Sequence, residues 1–157
     1  MVIKKIEIHN YRSINELVLM PKDLCALIGP NGAGKSNILR ALQVLLGETY
    51  PSERSFDKDD FFQKDQNKEI RIRIWFSDPL KEVKLTPLGS RGKVAVAITS
   101  LELTHTKDPT VSFPTQFTAY DARGNQYWAS GEVKNQISFI YIPSERELNK
   151  EMTISQW

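Results

Sequence analysis

The residues best suited to chemistry are Gly29-Pro30-Asn31-Gly32-Ala33-Gly34-Lys35-Ser36, followed directly by Asn37. The order Gly-x-x-x-x-Gly-Lys-Ser suits the phosphates of a nucleotide triphosphate for three reasons. Glycines let successive backbone N–H groups turn inward around an anion, where a Cβ would obstruct the approach. A helix that starts at the end of the loop aims unpaired N–H groups and a partial positive charge at the same anion. Lys35 is placed to reach the β- and γ-phosphate oxygens, and the Ser36 hydroxyl to ligate magnesium. The expected ligand is therefore ATP, or a related nucleotide, with Mg2+. A random chain of this length matches the pattern well under ~1% of the time, so coincidence is a poor explanation.

The loop needs a strand before it and a helix after it. Leu24-Cys25-Ala26-Leu27-Ile28 is a continuous apolar run, the pattern of a strand buried on both faces, and it makes Cys25 a core-packing residue. Ile38, Leu39, Leu42, Leu45 and Leu46 recur at three- and four-residue spacing, which predicts a helix over 37–46 stopped by Gly47. Upstream, residues 2–9 alternate, with Ile6 and Ile8 opposite Lys5, Glu7 and His9, as in a half-buried strand. Glu16 to Met20 is a second, shorter strand. Residues 48–67 are polar and acidic, a loop pinned by Phe61-Phe62. From Glu69 the chain becomes strand-rich. Ile70, Ile72, Ile74 and Phe76 share one face opposite Arg71, Arg73 and Trp75, and Lys93 to Thr104 alternates again. Thr115–Tyr120 and Gln126–Ala129 read as strands joined by a turn at 121–125. Ile137 to Ile142 is apolar enough for a buried strand that Pro143 ends.

Bulk properties narrow the class. The chain has 157 residues, 40% hydrophobic and 25% charged, which fits one globular domain or one lobe of a larger one. No apolar run approaches the roughly 20 residues of a membrane span, and the N-terminus lacks the apolar core of a signal peptide. Cys25 is the only cysteine, so no internal disulfide forms, and a cytoplasmic location is expected. The net charge of +2 and pI near 8.6 are too mild to argue for nucleic acid by themselves.

Other candidates carry less. Asp57, Asp59, Asp60 and Asp65 read as solvated carboxylates rather than a metal site. His9 and His105 are too far apart in sequence, and too isolated, for catalytic histidine chemistry. Arg71, Arg73, Lys81, Lys84, Arg91 and Lys93 fit either a face for DNA backbone or the solvated side of a sheet.

The stretches Ile6-Glu-Ile-His-Asn-Tyr-Arg-Ser-Ile14 and Leu27-Ile-Gly-Pro-Asn-Gly-Ala-Gly-Lys-Ser-Asn37-Ile-Leu-Arg-Ala-Leu42 resemble the head-domain start of ABC-type ATPases of the SMC/RecF group. Within that group the chain is most similar to the OLD-family ATPase-nucleases, which include the Gabija A subunit and retron-associated effectors of bacterial anti-phage defence. Phe56-Asp-Lys-Asp-Asp-Phe-Phe62, the strand Glu69 to Phe76 and Phe139-Ile-Tyr-Ile-Pro-Ser-Glu-Arg146 add to the likeness.

The resemblance implies an α/β fold, the N-terminal lobe of a P-loop NTPase with an antiparallel β-lobe. Its parts would be a nucleotide-binding core over 1–50, the acidic and aromatic loop over 51–68, the β-lobe over 69–136, and a return strand with a Q-loop-like segment over 137–157. It further implies Arg12 beside the nucleotide, a head-to-head partner of the same chain, DNA as a partner of the complete protein, and a further protein of a defence system. At Pro143 to Arg146 the glutamine typical of a Q-loop is missing, and Gln63 is a poor substitute. No apolar strand ending in Asp-Glu, no signature motif, no switch histidine and no Toprim nuclease domain is found. These departures lead to the expectation that the chain is the N-terminal part of a longer protein, or is completed by another chain. An OLD-like ATP-dependent endonuclease is the leading expectation for the parent protein. The rivals are a RecF- or SMC-like repair or tethering ATPase without nuclease chemistry, and a non-hydrolysing nucleotide-binding partner subunit.

Overall fold

Alternating strands with one apolar face must cover that face, and the chain folds into a single sheet with the helix over 35–46 packed on part of it. The structure, a computed structural model, describes residues 2–142. Its elements are β1 (Ile3–Tyr11), β2 (Ile14–Leu19), α1 (Lys35–Leu46), β3 (Ile70–Phe76), β4 (Val83–Pro87), β5 (Val94–Val96), β6 (Ser100–His105), β7 (Thr115–Tyr120), β8 (Gln126–Trp128) and α2 (Gly131–Lys134). Three short 3-10 turns, Glu53–Ser55, Lys58–Asp60 and Phe62–Lys64, organise the loop after α1. The strands form one sheet in the order β2-β1-β3-β6-β7-β8-β4-β5, with antiparallel pairing throughout.

Register places the apolar residues together. Ile6 and Ile8 pair with Ile74 and Ile72, which pair in turn with Leu101 and Leu103, and these with Ala119 and Phe117. All eight are buried. Helix α1 packs on β1 and β3 and buries Ala41, Leu42, Leu45 and Leu46. Full burial of each leucine contributes roughly 1.5–3 kcal/mol. Gly47 ends the helix, its N–H bonded to the Gln43 carbonyl at 2.8 Å. The buried Lys134 then closes this end, donating from Nζ to the carbonyls of Gly47 (2.7 Å) and Thr49 (2.6 Å). A cation there complements the negative end of the helix dipole, while burial pulls the Lys134 pKa down.

The loop over 48–67 is pinned by aromatics, as expected, though mainly through Phe56 and Phe61. Phe56 stacks on the His105 ring at 4.4 Å, and Phe61 sits tilted against it at 5.7 Å. Tyr11 makes an isolated bridge with Phe61. The 121–125 turn also forms as read, with Asp121 Oδ1 accepting the N–H of Arg123 and Asn125.

Three expectations are corrected. Residues 24–28 form no strand: Leu24 and Ile28 are 92% and 93% exposed, and Cys25 is exposed rather than packed in a core. A strand buried on both faces exists only where neighbours pair with its edges. Among the described residues no strand of the sheet pairs with this segment. Instead, Cys25 and Leu27 line an apolar groove with Ile3, Ile6, Leu19 and Leu42. Residues 137–142 likewise form no strand, with Ile140 and Ile142 83% and 81% exposed, although Ile137 and Phe139 pack against the core. The Lys93–Thr104 alternation is split into β5 and β6. Between them Ile98 is buried and gives its carbonyl to Leu80 N–H at 2.8 Å, which breaks the ladder. The segment Pro143 to Arg146 lies outside the described residues.

His105 yields a pH prediction. It is fully buried, its Nδ1 lies 2.8 Å from Thr115 Oγ1, and its Nε2 has no partner. Burial, with Lys107 adding repulsion, holds its pKa below the ordinary histidine value. The unfolded chain therefore binds the proton first, at about pH 6.5. Stability is complete above that pH and declines as pH falls toward the folded-state pKa. Thermal midpoints measured from pH 8 to 5 should drop in the acid range, and His105→Phe should flatten the drop.

Candidate nucleotide-binding site

The loop over 29–36 leads straight into α1. Gly32 and Gly34 lie in the left-handed region, at φ 84° and 88°. The Ala33 N–H closes a turn on the Pro30 carbonyl at 3.2 Å, and the N–H groups of Asn37 and Ile38 make the first helical bonds, both to the Gly34 carbonyl. The amides of Lys35 and Ser36 precede those bonds and project from the helix end. The first turn of α1 has no acidic residue and no side-chain cap. A helix start with free donors, positive dipole and no carboxylate to offset it fits an anion.

Lys35 lies across the loop, donating from Nζ to the carbonyls of Gly29 (2.6 Å) and Pro30 (2.8 Å). Both acceptors are neutral, and among the described residues no carboxylate pairs with the ammonium beside the free amides. Ser36 is exposed at the same end. Among the described residues no group of three or more His, Cys, Asp or Glu gathers to hold a metal ion. A magnesium ion at Ser36 would draw its remaining ligands from phosphate and water, as hard cations of this kind commonly do.

The turn between β1 and β2 abuts the loop. Ser13 Oγ accepts from Asn37 Nδ2 at 2.8 Å, and a Cβ built on Gly34 would come within 2.9 Å of that same oxygen. Gly34 is thus required twice, by its φ and by Ser13. Gly34→Ala should therefore distort the loop and cost about 1–3 kcal/mol in backbone strain, read as a lowered thermal midpoint together with weakened ligand binding.

Arg12 precedes Ser13 and also has positive φ, 52°. It is not a solvated turn residue. Its backbone N–H donates to the Asp60 carbonyl at 2.7 Å, and its Nε donates to Asp60 Oδ1 at 2.7 Å. Asp60, read from sequence as one of several solvated carboxylates, is only 4% exposed. Ser13 and Asp60 are the site residues that composition and spacing miss. Nothing in the acidic run marks Asp60 apart from its neighbours until β1 and the loop are brought together.

The proposed basic face separates into two parts. On the solvent side of the sheet, Arg73 lies over Trp75 (4.6 Å) and Tyr120 (3.9 Å) and 3.7 Å from Glu102. Arg71 pairs with Glu69. These cations are spoken for. Lys81, Lys84, Arg91 and Lys93 are exposed around the β4–β5 hairpin.

Known proteins resemble parts of this sequence. The OLD nuclease of Thermus scotoductus is 39% identical over 79 residues, 50% of this chain and 15% of its own length. The chromosome partition protein Smc of Methanocaldococcus jannaschii is 48% identical over 48 residues, 30% of this chain and 4% of its own. The uncharacterized protein YbjD of Escherichia coli is 40% identical over 62 residues, 40% and 11%. The chain thus spans a small fraction of these relatives' lengths. The sequence profile of the AAA ATPase domain family matches residues 1–156. By that match, over nearly its whole length, the chain belongs to the AAA ATPase domain family, with similarity to an OLD nuclease and to a chromosome partition protein Smc.

Proposed function

We propose that Gly29 to Ser36 binds the phosphates of ATP, with Lys35 reaching the terminal phosphates, Ser36 ligating Mg2+, and Asn37 and Arg12 at the margin of the site. The helix start of α1, rich in donors and free of carboxylates, is the observation that carries this reading. When bound, ATP with its metal supplies a concentrated negative charge. Residues 29–36 hold that charge, and Lys35 exchanges its two carbonyl partners for phosphate oxygens. The glycine-rich loop would form the phosphate-binding part of a P-loop NTPase head, with the antiparallel sheet as its β-lobe.

For the complete protein we infer an OLD-like ATP-dependent DNA endonuclease of bacterial anti-phage defence, acting in the cytoplasm. Two heads of the same chain would close on one another, and that closure would license DNA cleavage by a nuclease domain outside residues 1–157. The OLD nuclease match, covering half of the chain, supports this reading. A tethering or repair ATPase without nuclease chemistry is the second reading, and the 48% identity to Smc favours it. Full-length protein incubated with supercoiled plasmid, ATP and Mg2+ separates them. Nicked or linear product that requires ATP supports the endonuclease. ATP-dependent DNA binding with the plasmid intact supports the tethering reading.

A further inference from the structure

A buried carboxylate is tolerated only when its oxygens are paired, and Asp60 meets that demand in a specific way. Its Oδ1 accepts Arg12 Nε, its Oδ2 accepts the Asp57 N–H at 2.9 Å, and its backbone carbonyl accepts the Arg12 N–H. The acidic loop is thereby clipped to the β1–β2 turn at two atoms of one residue.

The clipped turn is strained. Asn10 and Arg12, on either side of Tyr11, have φ of 53° and 52°, and the buried Asn10 side chain has neither amide atom satisfied. Left-handed backbone at non-glycine residues, with an orphaned amide beside it, persists only where surroundings impose it. Asp60 and the Tyr11–Phe61 bridge impose it here. The turn so held presents Ser13 to the phosphate loop, where Ser13 Oγ bonds Asn37 and fills the space left by the missing Cβ of Gly34. One continuous path therefore runs from Asp57 through Asp60, Arg12 and Ser13 to Gly34 and Asn37.

We propose that Asp60 is a positioning residue for nucleotide binding, bracing the phosphate loop through Arg12 and Ser13. This role presupposes that residues 29–36 are the ATP site. A purely structural clip would stabilise the loop over 51–68 and leave the ligand unaffected. A brace instead makes the exposed Ser13, which adds nothing to the core, matter for affinity.

The test uses full-length protein and a fluorescent ATP analogue with Mg2+. Asp60→Asn should weaken binding about tenfold and Ser13→Ala several-fold, and the double variant should be no weaker than Asp60→Asn alone, because both act through one contact. Losses that multiply in the double variant would overturn the brace, as would wild-type affinity in Asp60→Asn. Should Asp60→Asn fail to fold, Ser13→Ala decides: unchanged affinity overturns the proposal, and weakened affinity at an unchanged thermal midpoint supports it. Failure of the wild type to bind the analogue overturns the ATP site, and the brace with it. Binding by the wild type with no loss in either variant overturns the brace alone.

Discussion

Lys35→Ala should weaken ATP binding by roughly 10- to 150-fold while leaving the fold intact. Hydrogen bonds to charged partners contribute about 1.5–3 kcal/mol, and about 1.4 kcal/mol is a factor of ten in affinity. Among the described residues the ammonium bonds two loop carbonyls, so its loss removes charge at the ligand and little else. Gly29 and Pro30 lose a donor but stay exposed, and water replaces it. The thermal midpoint should move by no more than a few degrees. Titration with the nucleotide and a melting curve on one preparation check both halves. Full affinity in Lys35→Ala would remove the lysine from phosphate recognition. A collapsed midpoint would mean that it holds the loop together instead.

Phe61→Ala should be the most damaging change in the loop over 51–68. Phe61 is 1% exposed, bridges Tyr11 and packs on the His105 ring. Truncating a buried phenylalanine costs about 3–5 kcal/mol through lost burial and a residual cavity, on the order of 10 °C in midpoint for a chain this size. Phe62, next to it, is only partly buried and should cost far less when truncated. Because Asp60 immediately precedes Phe61, the same substitution should also loosen the hold on Arg12 and lower nucleotide affinity. Urea unfolding of the two alanine variants side by side provides the check. Equal destabilisation would contradict the assignment of Phe61 as the pin.

The sheet was largely legible from the residues. Strict alternation in β1 and β3 identifies both the strands and their buried faces, because a period of two leaves one solution once Ile6, Ile8, Ile70, Ile72 and Ile74 must share a side. Helix α1 and the Gly47 stop follow from 3.6-residue spacing in the same way. The apolar runs at 24–28 and 137–142 misled for one common reason. A run without alternation says only that a segment is apolar, and whether it becomes a strand depends on a neighbour that local sequence does not name. Lys134 and Asp60 were illegible for a related reason. Each is buried by contacts to residues far away in sequence, Lys134 with Gly47 and Thr49, Asp60 with Arg12. At the candidate site the motif announces Lys35, Ser36 and the glycines, and Arg12 entered through family resemblance. The Ser13 contact that makes Gly34 obligatory emerges only in three dimensions.

Calorimetric titration of the full-length protein with ATP and Mg2+, compared with AMP under the same conditions, bears most directly on residues 29–36 as a phosphate site. The expected result is saturable binding of one ATP per chain, at least tenfold tighter than AMP because the terminal phosphates meet Lys35 and the helix start. No saturable binding at millimolar ATP, or equal affinity for ATP and AMP, would contradict it.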